Sequence, residues 1–148
     1  MIPHHTQAVE MAEMALTRDT DAGVKALAAQ IKAAQAPEIA QMGGWLRGWG
    51  SAIPTGDGMS GHSSGGMTGS NGMMTSDEMS QLDAASGNEF AKLFLNGMTQ
   101  HHRGAVAMAK TELATGQSSQ AKALATNIIT AQNTEIATMA ELLTKLGG

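Results

Sequence analysis

One block of sequence occurs twice in this chain. The opening stretch MIPHHTQAVEMA returns as MTQHHRGAVAMA from Met98, and KALAAQIKAAQAPEIAQM from Lys25 returns as KALATNIITAQNTEIATM from Lys122. A single shift of 97 positions aligns both pairs without a gap, and roughly 20 of 46 aligned residues are identical. Each copy contains two helix-length segments, so the repeating unit is predicted to be a helical hairpin used twice.

The helical prediction rests on the spacing of apolar residues, which recur every three or four positions within each copy. Asp19-Thr20-Asp21 and Ser118 or Ser119 offer N-capping side chains, and Gly116 offers a C-cap. These patterns predict helices near 1–18, 20–47, 77–115 and 118–146, the third with a break near Ser86-Gly87.

A stretch rich in Gly, Ser, Thr and Met separates the two copies and is predicted to be a flexible linker. Its roughly 30 residues, at about 3.3 Å each when extended, can cross a bundle some 40 Å long. We therefore predict a single all-α domain over residues 1–148, a ferritin-like four-helix bundle. Its predicted parts are a first hairpin at 1–47, a flexible Met-rich linker at 48–76 and a second hairpin at 77–148. Because only three residues precede the first His-His pair, the first hairpin is expected to be truncated at its N-terminus, which would leave an apolar groove.

Counting residues from the hairpin turns predicts a polar layer in the middle of the bundle. His101 lies about 16 residues before the turn at Gly116, and Gln132 and Glu135 lie about 15 and 18 residues after it. At 1.5 Å per helical residue these side chains fall at one level. The first copy places its own set at that level: His4, His5, Gln35 and Glu38. Such a buried layer is costly unless hydrogen bonds, a metal ion or both satisfy it.

The composition narrows the metals that this layer could bind. The chain has no Cys, which excludes thiolate sites, but it has 12 Met. Thioether and imidazole groups suit Cu(I), and also Ag(I), which is similarly soft. The candidate metal ligands in the helices are His4, His5, Met11, Met14, Glu38, Met42, His101, His102, Met108, Glu135 and Met139. A secondary set of candidates follows along the linker: Met59, His62, Met67, Met73, Met74 and Met79. Core packing is the alternative role for the helical Met residues, and a hydrogen-bonded polar core is the alternative role for the His pairs.

Other functional classes find little support. A net charge of −4 gives no reason to expect nucleic acid as a partner, and the chain lacks an apolar run long enough to predict a transmembrane helix. No nucleophile motif or phosphate-binding glycine loop is present, so we expect no catalytic residues. A dinuclear iron site normally uses more carboxylates than the two Glu of this layer, which weakens but leaves open a ferritin-like metal oxidase.

The doubled His-His-x-x-Ala-x-x-Met-Ala motif, at His4 to Ala12 and His101 to Ala109, resembles the bacterial domain-of-unknown-function family number 305, which includes CopM-like copper-binding proteins. The resemblance implies a ferritin-like bundle that binds copper, as Cu(I) or Cu(II), or silver ions for sequestration or buffering in metal resistance. It also implies export to the periplasm or the cell exterior. The expected partners are metal ions, and a second copy of the chain could fill the groove as a homodimer. The alternatives are the oxidase and a structural, partner-binding bundle without metal.

Overall fold

The computed structural model of the protein describes residues 1–54 and 70–147, and these residues form helices with no strand among them. The helices are α1 (Ile2–Thr17), α2 (Ala22–Gly48), α3 (Ser76–Ala84), α4 (Gly87–Thr115) and α5 (Ser119–Lys145). A single 3-10 turn, Ser70–Gly72, precedes α3. The all-α prediction is confirmed, and the break predicted near Ser86-Gly87 separates α3 from α4.

Local side-chain chemistry sets the helix boundaries. The Asp21 carboxylate accepts hydrogen bonds from the first backbone N–H groups of α2, and the Ser118 hydroxyl does the same for α5. Thr75 and Glu78 form a reciprocal capping box at the start of α3. Pro37 lies inside α2, which nevertheless continues to Gly48. The boundaries therefore follow the capping residues rather than the proline.

The helices pack as two hairpins laid against each other. Helix α1 packs on α2, and α4 packs on α5, while α1 contacts α4 and α2 contacts α5 across the hairpins. Along the α1–α4 contact, His4 lies against His101 and Met11 approaches Gly97. Since residue numbers rise along one helix as they fall along the other, α1 and α4 run antiparallel.

Two apolar clusters fill the bundle, one on each side of the histidines. The larger cluster contains Phe90 and Phe94 of α4 together with buried residues of α1, α2 and α3. The smaller cluster is built around Ala109, Leu124 and Ile128. Along α4, the order is Phe94, then His101 and His102, then Ala109, so the polar layer separates the two clusters as the sequence predicted.

The smaller cluster is incompletely covered. A cavity of about 310 Å³ opens beside it, and Met1, Met42, Trp45 and Met108 contribute to its lining. Trp49, at its rim, is 56% exposed.

No helix in the described part of the chain is both long enough and apolar enough to cross a bilayer.

Candidate metal centre

Four histidines form the centre of the polar layer, and all of them are buried: His4 and His5 on α1, His101 and His102 on α4. The rings of His4 and His101 are in contact, with centroids 3.6 Å apart and planes tilted by 37°. Within each adjacent pair the centroids are 6.4 Å apart. The two copies of the His-His motif therefore meet at the α1–α4 contact, related by an approximate twofold axis.

The outer histidine of each pair is held by a glutamate from the second helix of its own hairpin. His5 Nε2 lies 2.7 Å from Glu38 Oε2, and His102 Nε2 lies 2.6 Å from Glu135 Oε2. A carboxylate can only accept, so each Nε2 carries the proton and donates it. In the neutral ring this leaves the lone pair on Nδ1, which is the arrangement usual for metal-bound histidines.

His4 has a different acceptor, supplied by the segment that precedes α3. We call residues 71–74 the seam strap, because they lie along the contact between α1 and α4. His4 Nε2 donates to the Asn71 carbonyl at 3.1 Å, and the Gln7 side-chain amide both donates to and accepts from the Met74 backbone, at 2.8 Å in each direction. These residues belong to the predicted linker, but they are docked on the helices.

A glycine of α4 makes room for the seam strap. A Cβ at Gly104 would collide with the backbone carbonyl of Asn71, so only glycine allows the strap to approach this closely. Asn71 itself has φ 63°, in the left-handed region that asparagine tolerates better than most residues. The strap therefore needs particular residues on both sides of the contact.

Many polar atoms of the layer have no hydrogen-bond partner. The unpartnered atoms are Nδ1 of His4, His5, His101 and His102, Nε2 of His101, and both amide atoms of Gln35 and Gln132. A buried polar atom without a partner costs roughly 1–3 kcal/mol. A cluster of this size is expected where a bound species completes the layer.

The inner histidine of each pair, His4 or His101, is electrically neutral at pH 7. Burial lowers the pKa of His4 from 6.5 to about 4, although the bond to the Asn71 carbonyl partly offsets this effect. Burial, followed by the proximity of His4 and His102, lowers the pKa of His101 to about 2. Their ring lone pairs are therefore available near neutral pH without the loss of a proton.

The candidate methionines occupy three kinds of place. Met11 and Met139 are buried in the larger cluster, and Met14 packs half-buried against it. Met42 and Met108 line the cavity at the other end. Of the linker set, Met73 and Met74 lie in the seam strap, and Met79 lies half-buried on α3. Met59, His62 and Met67 lie outside the described residues.

The layer contains no ready-made chelate. Nowhere in residues 1–54 and 70–147 do three His, Asp or Glu side chains converge in an arrangement able to hold an ion. Glu38 and Glu135, predicted as ligands, are bonded to histidine Nε2 atoms. The sequence does not predict that the seam strap docks on the helices. The one signal for it is that Gln7 and Gly104 occupy equivalent positions of the repeat but are different residues.

Solved structures similar to this chain have the same bundle. A presumed secreted DUF305 protein from Streptomyces coelicolor is 35% identical, with a TM-score of 0.87, over 100% of this chain and 88% of that one. A DUF305 fragment from Deinococcus radiodurans is 30% identical, with a TM-score of 0.84, over 98% and 91% of the two chains. CopM in its Cu(I)-bound form is 28% identical, with a TM-score of 0.80, over 100% and 93%. CopM has also been solved in Cu(II)-bound and Ag-bound forms.

No curated protein sequence matches this chain. The family model described as domain of unknown function, DUF305, matches residues 1–143. Together with the shared bundle, this match shows that the chain belongs to the DUF305 family.

Proposed function

We propose that this protein binds copper or silver ions through its histidine layer and sequesters or buffers them outside the cytoplasm. The observation that carries the proposal is the state of the histidine rings. Three of the four Nε2 atoms are held by carboxylate or carbonyl acceptors, and all four buried Nδ1 atoms are without a partner. A hydrogen bond of this kind on the far nitrogen fixes the tautomer and raises the basicity of the ligating nitrogen.

The electrostatics of the layer also favour a cation. The pKa values of His4 and His101 lie well below 7, so these rings offer lone pairs rather than positive charge. Glu38 and Glu135 place two carboxylates behind the outer histidines. In this proposal the glutamates position and polarise the imidazoles instead of binding the ion themselves. Imidazole binds copper in both oxidation states, and the nearby thioethers extend the choice to Cu(I) and Ag(I).

Similarity to CopM supports the choice of ion, because CopM has been solved with Cu(I), Cu(II) and Ag bound. A presumed secreted relative supports a location outside the cytoplasm.

We further propose that the protein holds its metal without turning over a substrate. A ferritin-like oxidase is the competing function, and iron-dependent oxygen consumption that disappears in Glu38→Ala plus Glu135→Ala would favour it.

The test is an anaerobic Cu(I) titration against a coloured chelator. One variant replaces residues 55–69 with Gly and Ser, leaving the seam strap and α3 intact. A second variant combines His5→Gln with His102→Gln. We expect the first variant to keep tight binding and the second to lose about tenfold to a hundredfold in affinity. Tight binding that survives in the histidine variant but disappears in the linker variant would contradict the proposal.

A further inference from the structure

The sequence contains the dipeptide Asn-Gly twice, and the two occurrences lie in different backbone settings. Asn71-Gly72 lies in the 3-10 turn at the start of the seam strap, and Asn96-Gly97 lies inside α4. Both asparagine side chains are exposed. Asn-Gly is especially prone to deamidation, because glycine has no side chain to shield its backbone nitrogen. The same reactive pair is therefore present once in a short turn and once in a long helix.

The docked seam strap requires this dipeptide where it stands. Asn71 has φ 63°, a left-handed conformation that asparagine tolerates better than most residues. Gly72 has φ 78°, and a Cβ at this position would collide with the backbone carbonyl of Gln100 on α4. A bulkier residue after Asn71 would slow deamidation, but it would also prevent the strap from docking.

Deamidation begins when the Gly72 backbone nitrogen, having lost its proton to solvent, attacks the side-chain carbonyl carbon of Asn71. The C–N bond of the side-chain amide breaks, ammonia leaves and a succinimide ring remains. Water then opens the ring at either carbonyl. One opening gives aspartate, and the other gives isoaspartate, in which the main chain runs through the former side chain. The net reaction consumes one water molecule and releases one ammonia molecule.

The docked strap holds Asn71 in a geometry that cannot form this ring. With ψ at 29°, the Gly72 nitrogen lies on nearly the opposite side of the Cα–C bond from Cβ, whereas ring closure needs the two on the same side. Turning the nitrogen toward Cβ rotates the whole planar peptide group, including the Asn71 carbonyl that accepts from His4 Nε2. The bond to His4 must therefore break before Asn71 can react.

We propose that Asn71 is a modification site, where deamidation by water follows release of the seam strap from His4. Isoaspartate lengthens the main chain by one methylene group. The product therefore cannot place its carbonyl over Gly104 while Met74 stays bonded to Gln7. Because ammonia is lost, the change is one-way, and the modified strap stays off His4.

Peptide mapping by mass spectrometry tests the site in the full chain, incubated at mildly alkaline pH with and without guanidinium chloride. In denaturant we expect Asn71 and Asn96 to deamidate at similar rates. In the folded protein Asn71 should react more slowly but measurably. Asn96 should not react, because its peptide group belongs to the hydrogen-bond ladder of α4. The proposal is overturned if Asn71 is as inert as Asn96, or if folding does not slow it.

Variants that release the strap measure how far His4 controls the reaction. Gly104→Ala displaces the Asn71 carbonyl, His4→Leu removes the donor to that carbonyl, and Gly44→Ala is the matched control. We expect each of the first two to raise the rate at Asn71 by about fivefold to tenfold, and the control to leave it unchanged. Wild-type rates in both strap variants would contradict control by the docked strap.

Hydrogen exchange at the Met74 amide, which donates to Gln7, measures the consequence of the modification. The isoaspartyl protein isolated after incubation should exchange faster at this amide than the unmodified protein. Asn71→Gly keeps the left-handed backbone and the carbonyl but has no side-chain amide, so the same incubation should leave its exchange unchanged. Equal exchange in the isoaspartyl and unmodified proteins would mean that the strap redocks, which overturns the one-way release.

Discussion

The two hairpins are nearly equivalent in their outer histidines and differ in their inner ones. His5 with Glu38 and His102 with Glu135 form the same pair, at 2.7 and 2.6 Å. His4 is bonded to the Asn71 carbonyl, whereas neither ring nitrogen of His101 has a partner. The two copies therefore have the same His–Glu pairs but differ at the histidines where the copies contact each other.

The seam strap explains why the divergence occurs there. A single peptide segment crossing an approximate twofold axis cannot make the same contacts with both copies. On α1 the strap meets the long amide of Gln7, and on α4 the equivalent position is Gly104, which leaves space for the Asn71 carbonyl. At this repeat position one copy therefore has a hydrogen-bonding side chain and the other has none. The predictions below test this asymmetry.

The largest effect should come from protonation of the inner histidines. The pKa of His4 is about 4 in the folded protein and 6.5 in the unfolded chain, so the unfolded state takes up the proton first. The free energy of unfolding should be fully retained above pH 6.5 and fall by about 3 kcal/mol for His4 alone as the pH drops to 4. His101 should continue the loss to lower pH, since its folded pKa is lower still.

Urea denaturation at pH 7.5, 5.5 and 4.0 measures this effect. His4→Gln and His101→Gln isolate the two contributions from the general acid sensitivity of the carboxylates. Each variant should show a shallower decline than the wild type between pH 6.5 and 4. Identical slopes in the wild type and in both variants would rule out the inner histidines as the source.

The next largest effect should come from Gly104→Ala. Alanine normally favours a helix by about 1 kcal/mol over glycine, but here its Cβ collides with the Asn71 carbonyl. Displacing the seam strap leaves His4 Nε2 without its acceptor, so we expect a net loss of about 2 kcal/mol in unfolding free energy. Hydrogen exchange at the Met74 amide should rise sharply in the same variant.

Gly44→Ala in α2 is the matched control, because nothing lies within 4 Å of the added Cβ. This change should stabilise the protein by up to about 1 kcal/mol. If Gly104→Ala proves equally stabilising and leaves exchange at Met74 unchanged, the strap does not depend on that glycine.

The helices and the level of the polar layer could be predicted because they follow from short-range sequence patterns. Helix periodicity and capping residues located the helices, and the shift of 97 positions showed that two hairpins share one plan. Counting 1.5 Å per residue then placed His, Gln and Glu at one level, and these residues do lie between the two apolar clusters. The break at Ser86 was predicted for the same reason.

The seam strap and the roles within the layer could not be predicted in this way. Asn71 meets His4, and Met74 meets Gln7, each across 67 residues and with no periodicity to reveal the pairing. Sequence placed Glu38 near the histidines, but only side-chain geometry shows that it accepts from His5 Nε2 rather than facing the unpartnered Nδ1. Differences between the copies, such as Gln7 against Gly104, were the one available signal.

The smallest effects should test whether the outer pairs are truly equivalent. Glu38→Gln and Glu135→Gln keep an acceptor for the histidine Nε2 but remove the charge, so each should lower the unfolding free energy by about 1 kcal/mol. Glu13→Gln is the control, because Glu13 pairs with Lys32 on the surface, where the loss should be close to zero. Thermal or urea denaturation of the two single variants and the double variant gives the comparison. Equal single effects that add in the double variant mean that the hairpins are independent at their outer histidines. A double variant that departs from the sum by more than about 0.5 kcal/mol would instead show that the contact between the His4 and His101 rings couples one pair to the other.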